Sequence, residues 1–570
     1  MGSVVVAFTS ASCGGDAPID GLTAKTITGV TATTLFTEAA NEPICVGEDV
    51  FFVQASTLVA PPMYDPYWQD WHVWYDRKVD ASLAMFDGST GEILDLGIDV
   101  CLNQRNVLVD TPIMHQISDE IIAVKTDCLY ETPDPYFRGM VSLFHTPSLE
   151  ISPPVFGGYV DGYITFEWAG YICGMVQVDL SARLRCLEPA PPWTEIWTSG
   201  ADWAVFPDWR LMGDRLVLDF GEGIELLEAP FEDSIQTGLS LPWIALPLGH
   251  TVEYVPSIDT YFVLHSVGPD SVEVVQLSPD GTQTIVVPPF PWSEEAYRLH
   301  DGYTRWFTGP FDPSPDGSTV VYSRMSEDER QLVVRDIESG AEKILSSNLL
   351  SHARLWTLGD VVNIPDNFGT LNVPMSTTSQ RVMFAEVPGP DCDVVLRIYD
   401  LDSGELESGP ILHTDWGPGG VIKDGYYYYE TRETAAAPAD GLPCIADGPW
   451  SVKRLDLSTG SVETVLDVPE KVDSWRYWLW HFFPESGALS VHLKQESPDY
   501  LVAGWPTEVT PEILFTWGDY QVLSGTPDQE VLLSLPRAAR MAASCGPCEL
   551  VSTRPDPEDM SYTVVRVCPE

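Results

Sequence analysis

Apolar residues along this chain fall in short alternating runs, each closed by a turn that sets Gly beside Asp or Ser. The pattern is plainest in LAMFDGSTGEILDL (83–96), VVQLSPDGTQTIVV (274–287) and LVVRDIESGAEKIL (332–345). It returns as LRIYDLDSGELESG (396–409) and VKRLDLSTGSVETVL (452–466). Period-two alternation on both sides of a Gly turn predicts a β-hairpin, because side chains alternate across a strand and Gly accepts the backbone that the turn needs. Upstream of the hairpins come further strands opened by Asp or Gly. They are EDVFFVQAS (48–56), DGYITFEWA (161–169), GDRLVLDFG (213–221), DGSTVVYSR (316–324), DGYYYYETR (424–432) and SGALSVHLK (486–494). Weaker units lie near 118–151, 258–288, 378–409 and 527–567.

About ten such units recur every ~40–70 residues, without an amphipathic helix between them. The order predicts an all-β chain, a β-propeller of about eight to ten four-stranded blades. In each blade the upstream strand is second and the hairpin supplies the third and fourth. One large ring is the simplest arrangement. Two smaller rings divided near 346–372 and an array of β-sandwiches are the alternatives. The segment DPSPDGSTVVYS (312–323) resembles the SPDG motif of TolB-like, WD40-like propellers, and YDLDSGE (399–405) resembles their last hairpin. The resemblance implies a fold and says little about function.

In such a blade the first-to-second and third-to-fourth connections are tight turns, so the long connections gather at the opposite end. That end is where propellers usually hold ligands. The connection 57–80 contains PPMYDPYWQDWHVWYDRKVD (61–80), in which Tyr64, Tyr67, Trp68, Trp71 and Trp74 alternate with Asp65 and Asp70. It is expected to be a loop, not a strand. Tyr136 in 127–139, and Trp292 and Tyr303 in 289–307, fall in connections of the same kind. Aromatic rings stack on sugars, and neighbouring carboxylates accept hydroxyl hydrogen bonds. The competing expectation is that such rings pack inside their own loops, as Trp478 and Trp480 are expected to pack inside a blade.

Charge narrows the partners. Thirty Lys and Arg against 84 Asp and Glu give a net charge of −54. A surface this acidic repels phosphate backbones, so nucleic acid is excluded as a partner. A saline or extracellular medium accounts for the same composition.

Eleven cysteines are present. Cys13, in VVVAFTSASCGGD, resembles the lipidated Cys at the end of a bacterial lipoprotein signal, although no basic segment precedes it. Residues 1–23 are therefore expected to be an export or lipoprotein-like segment, or a disordered N-terminus, and residues 24–570 the propeller repeats. Setting Cys13 aside leaves an even number, which suits disulfides in an extracytoplasmic protein. Cys128, Cys173, Cys392, Cys444, Cys545 and Cys548 fall in predicted loops, with Cys128–Cys173 and Cys392–Cys444 as candidate bridges. The CGPC at 545–548 copies a thioredoxin motif but lacks the surrounding βαβ units, so it reads as a local disulfide or as two cysteines paired elsewhere.

No GxSxG elbow, phosphate loop or paired Cys/His zinc pattern stands in the chain. No cofactor is expected. The acidic turns DGSTGE and DLDSGE leave Ca²⁺ open but are better explained as hairpin turns. The expected function is an exported, non-enzymatic scaffold that binds a protein or a glycan through its loop face and meets a membrane only through a lipid on Cys13. The alternative is a propeller hydrolase or lyase acting on polysaccharide, with acids in the channel mouth.

Overall fold

The computed structural model describes residues 30–39, 43–55, 63–65, 70–72, 78–79, 81–100, 102–103, 114–128, 139–158, 165–178, 181–199, 208–219, 223–228, 235–241, 251–292, 311–325, 330–347, 356–357, 381–386, 394–401, 403–413, 420–423, 426–436, 445–456, 459–467, 476–482, 489–495, 517–523, 531–553 and 562–569. These residues are strands and turns, with one short 3₁₀ turn at Pro256–Ile258. The chain divides into two compact units. One comprises Met1–Leu22 and Val205–Glu470, the other Thr23–Ala204 and Lys471–Glu570.

The first unit contains five separate four-stranded antiparallel sheets, each with its strands in chain order. This is the blade of a β-propeller, and the all-β propeller class is the one expected. The second unit holds an eleven-stranded and a nine-stranded sheet. A blade of the same order, Ile44–Val46, Asp49–Ala55, Ala81–Phe86 and Ile93–Asp99, stands at one end of the larger sheet. Six blades are thus distinct among the described residues, where eight to ten were expected. In the rest of the second unit neighbouring groups share ladders. Phe156–Gly158 joins Tyr171–Val178 in parallel, and the long strand Val531–Cys545 pairs with a neighbour at each end.

The five hairpins expected from the sequence all form the third and fourth strands of a blade. Four share one turn. Asp87, Asp336, Asp400 and Asp456 each accept, on Oδ1, the backbone N–H three residues ahead, at 2.7–3.1 Å. The amide of the following Gly donates to the Asp carbonyl at 2.8–2.9 Å. That Gly sits at φ +70 to +74°, in the left-handed region where a Cβ is strained. Two SPDG turns close differently, with Gly281 donating to Ser278 O and Gly317 to Ser314 O.

One upstream strand was placed wrongly. Within DGYITFEWA, Thr165–Trp168 is a first strand and Tyr171–Val178 the second, because the turn falls at Ala169–Gly170, both at positive φ. Cys173 therefore lies inside a strand, directly opposite Cys186, and is bonded to it rather than to Cys128. Cys128 ends the strand Ile121–Cys128. Cys545 and Cys548 are not bonded to each other: they bridge to Cys45 and Cys568. Cys392, Cys444 and Cys13 lie outside the described residues.

The inner strands bury both faces. In Thr319–Met325, consecutive Val320, Val321 and Tyr322 are all buried, as expected where sheets are stacked face to face. One apolar cluster runs through three successive sheets, from Val255 through Phe311 and Val333 to Phe384 and Tyr399. Full burial of such side chains is worth about 1.5–3 kcal/mol each. The outer strands instead expose Ile93, Ile285, Ile344, Leu406 and Val462. Each of these strands meets its neighbour with a register shift. A bulge twists an edge strand and makes it a poor template for another chain.

Two glycines separate strain from crowding. Gly404 (φ +70°) has room for a Cβ, whereas a Cβ on Gly213 (φ +62°) would stand 2.7 Å from the Tyr254 ring. That ring lies 4.9 Å from the ring of Tyr261 and donates its hydroxyl to Asp259 at 2.9 Å. Gly404→Ala is expected to cost about 1 kcal/mol, and Gly213→Ala a further ~1–3 kcal/mol, in urea unfolding. Equal costs would show that Tyr254 yields freely.

Candidate binding face

Antiparallel order fixes which connections share an end. With first-to-second and third-to-fourth turns at one end, every second-to-third connection and every link to the next blade emerges at the other. The described connections at the first end are short and locked, such as Val46–Asp49, Met212–Arg215 and Asp336–Glu342, although one blade also sends the 358–380 connection from that end. The other end receives the insertions 56–80 and 129–138 in one unit, and 293–310, 387–393 and 437–444 in the other.

Inside 56–80 the structure places a small ribbon where a loop was expected. Met63–Asp65 pairs with Asp70–His72, setting Tyr64 opposite Trp71 and Asp65 opposite Asp70. Lys78–Val79 then pairs with Leu102–Asn103. The pairing of Met63–Asp65 with Asp70–His72 brings the two halves of the aromatic run together. Strand alternation was too short for the sequence pattern to register. Tyr67, Trp68 and Trp74, like Tyr136 and Tyr303, lie outside the described residues.

Trp292 is a correction. It is 3% exposed and belongs to the core, not to a loop surface. Its amide donates to Asp270 O at 3.1 Å, so the residue still continues the outer ladder of Gln283–Pro291. The ladder draws the indole inward among Phe290, Phe311 and Tyr322.

Polar networks that the sequence pattern did not single out join neighbouring strands of one sheet and reach across to the next sheet. Arg215 donates to Asp259 at 2.9 Å and to Glu228 at 3.2 Å. The hydrogen bond from Arg215, with a second from Tyr254, holds the Asp259 carboxyl below the usual carboxylate range. Burial, with Asp259 alongside, pushes Tyr254 up to about 12. In the next-but-one position around the unit, Glu342 accepts from Tyr322 at 3.0 Å, from Arg335 at 2.8 Å and from Arg324. Burial opposes the charge on Glu342, but these donors outweigh it and its carboxyl is held low. Arg335 also donates to Val286 O of the preceding sheet at 2.7 Å. Each network couples a guanidinium to a carboxylate it already satisfies, which suits clamping blades together better than proton transfer. Register would have revealed them, since Arg215–Glu228, Arg335–Glu342 and Arg454–Glu463 are directly opposed pairs. Among the described residues no three His, Cys, Asp or Glu side chains gather as a metal site, and no helix is long and apolar enough to cross a membrane.

No protein-family model matches this chain, and no curated protein matches it. Solved structures do. TolB from Acinetobacter baumannii is similar at 11% identity over 74% of this chain and 82% of that one, with a TM-score of 0.25. A prolyl endopeptidase is similar at 12% over 81% and 56%, with a TM-score of 0.31. A eukaryotic initiation factor is similar at 7% over 90% and 91%, with a TM-score of 0.36. At such scores these likenesses bear on no function.

One partly buried group reports on pH. His115 Nε2 lies 2.6 Å from Thr165 Oγ1 and 3.2 Å from Thr165 O, between two strands of the second unit. Burial lowers its pKa to about 4, so the folded state holds the imidazole neutral. The unfolded chain binds the extra proton below ~6.5. Stability is therefore fully present above that pH and is lost as pH falls toward 4, by at most about 1.4 kcal/mol per pH unit. His115→Gln is expected to flatten that limb in chemical unfolding between pH 6.5 and 4. An unchanged slope would assign the dependence to other groups.

Proposed function

We propose that this chain is an exported, non-enzymatic propeller scaffold that binds a protein or a glycan through the long connections at one end of its blades. In this reading residues 24–570 are the scaffold, residues 1–23 an export segment, and Cys13 a lipid attachment point. The observation that carries it is the contrast between blade ends. One end carries the Asp–Gly and SPDG turns and, in one blade, the long connection 358–380, while the other takes 56–80, 129–138, 293–310, 387–393 and 437–444. Rigid turns fix the blades so that the insertions are presented from a firm base.

Tyr64, Tyr67, Trp68, Trp71 and Trp74, with Asp65 and Asp70, are the proposed contact set; Tyr136 in the same unit and Tyr303 in the other are proposed as further contacts of the same kind. Aromatic rings interleaved with carboxylates suit a sugar's apolar face and hydroxyl rim, or a protein surface carrying cations. The disulfides Cys45–Cys545, Cys173–Cys186 and Cys548–Cys568 support an oxidising, extracytoplasmic setting. The paired SPDG turns support a TolB-like, WD40-like repeat type.

The test replaces 61–77 by a short Gly/Ser hairpin and requires an unchanged melting temperature. Wild type and variant are then compared on a glycan array and in affinity capture from the source's own envelope and medium. Loss of a retained ligand by tenfold or more is the expected outcome. Retention of the same ligand by both proteins would show that the aromatic run is packing, and retention of nothing by either would reject the scaffold.

A further inference from the structure

Two disulfides converge on one hairpin. The strand Val531–Cys545 turns through Gly546 and Pro547 into Cys548–Thr553, with Cys545 and Cys548 directly opposite in the ladder. Cys545 is bonded to Cys45, 500 residues away in sequence, and Cys548 to Cys568 on the neighbouring strand Tyr562–Pro569. Cys45, Cys545 and Cys548 are buried in one apolar cluster, against which Cys568 packs with part of its surface exposed. Directly opposed antiparallel residues have Cα atoms ~4.5–5.5 Å apart, within the span of a disulfide. Directly opposed residues put their side chains on the same face of the hairpin, so a Cys545–Cys548 bridge is within reach of the register.

We propose that this CGPC hairpin is a thiol-exchange switch for the clamp between Cys45 and Cys545. The thiolate of an external low-molecular-weight thiol attacks the accessible Sγ of Cys568. A mixed disulfide forms there, and Cys548 leaves as a thiolate. The Cys548 thiolate attacks Sγ of Cys545 across the hairpin, forming Cys545–Cys548 and expelling Cys45 as a thiolate, which takes up the proton released by the external thiol. Two disulfides are consumed and two are formed, so no net oxidant or reductant is required. The product has a free thiol at Cys45 and a local bridge across the turn. The strand Ile44–Val46 is then no longer tied covalently to Val531–Cys545.

Opening through Cys568 explains how a bond whose two sulfurs are both buried can respond to solvent. It also gives CGPC a use that needs no thioredoxin fold, only two opposed cysteines and a two-residue turn.

The experiment treats the whole folded protein with glutathione, at concentrations that leave Cys173–Cys186 closed, and traps thiols with N-ethylmaleimide for peptide mapping. The expected map shows Cys45 alkylated, Cys545 bridged to Cys548 and Cys568 glutathionylated. A map with Cys45–Cys545 intact and Cys548 alkylated, or with both original bridges intact, overturns the proposal. A second arm uses Cys568→Ser, which leaves Cys548 as a free thiol from the start. There Cys45 is expected to be the alkylated residue without added glutathione, and alkylation of Cys548 instead overturns the exchange step. If that variant does not fold, the wild-type map alone decides.

Discussion

The ladder between Val30–Ala39 and Tyr562–Pro569 is the interaction on which the second unit depends. It joins the described start of the chain to its end, pairing Val30 with Pro569 and running to Ala39 with Tyr562. Closing a loop of this length costs entropy that grows only as the logarithm of its size, but none of it is recovered until the ladder forms. Cys45–Cys545 fixes the same closure covalently, and in the chain-entropy account a loop this long gives about 6 kcal/mol. Without both, residues 23–204 and 471–570 would be two separate pieces of chain, and the cluster shared by Phe36, Phe52, Leu550 and Val564 would have no reason to assemble.

The first unit needs no such closure, because its contacts are local. Each of its sheets is built from consecutive strands. Its turns are the part of the fold most legible in sequence, since a tight turn demands particular residues at particular positions. Gly340, Gly404 and Gly460 must enter the left-handed region, and the Asp four residues earlier caps the turn's amides. That is why the hairpins at 332–345, 396–409 and 452–466 could be drawn without coordinates. The partner of Val30–Ala39 could not, because no local residue chooses between strands 500 positions apart. The cysteines failed for a related reason. Cys173 was placed in a loop only because the turn at Ala169–Gly170 was assigned to the wrong side of a strand.

The candidate face was legible in outline and misjudged in detail. Counting strands was enough to send most of the long insertions, though not 358–380, to one end of their blades. It was not enough to separate a ring that leaves the blade from one that ends it. Trp292 looked like a loop aromatic because it falls in 289–307, a connection between the last strand of one blade and the first of the next. The backbone bond from its amide to Asp270 keeps it in the ladder, and its indole stays in the core. Aromatic density in a connection thus counts toward binding only beyond the last ladder bond of the blade itself.

Cations are few, and many of the described ones are already engaged: Arg215 with Asp259 and Glu228, Arg324 and Arg335 with Glu342, Arg454 with Glu463, and Lys343 with Gly404 O and the Tyr399 ring. With 84 acids against 30 bases, the excess negative charge must be left to solvent. Acidification would first reduce the mutual repulsion of those ordinary carboxylates. The turn carboxylates of Asp87 and Asp336 titrate lower, because Ser and Thr hydroxyls and amides bind their charged form. As pH falls, the field around the protein therefore weakens before its turns lose their caps. The acidity belongs to how the surface meets cations and solutes, and the fold rests on a small set of acids kept apart from it by their hydrogen bonds.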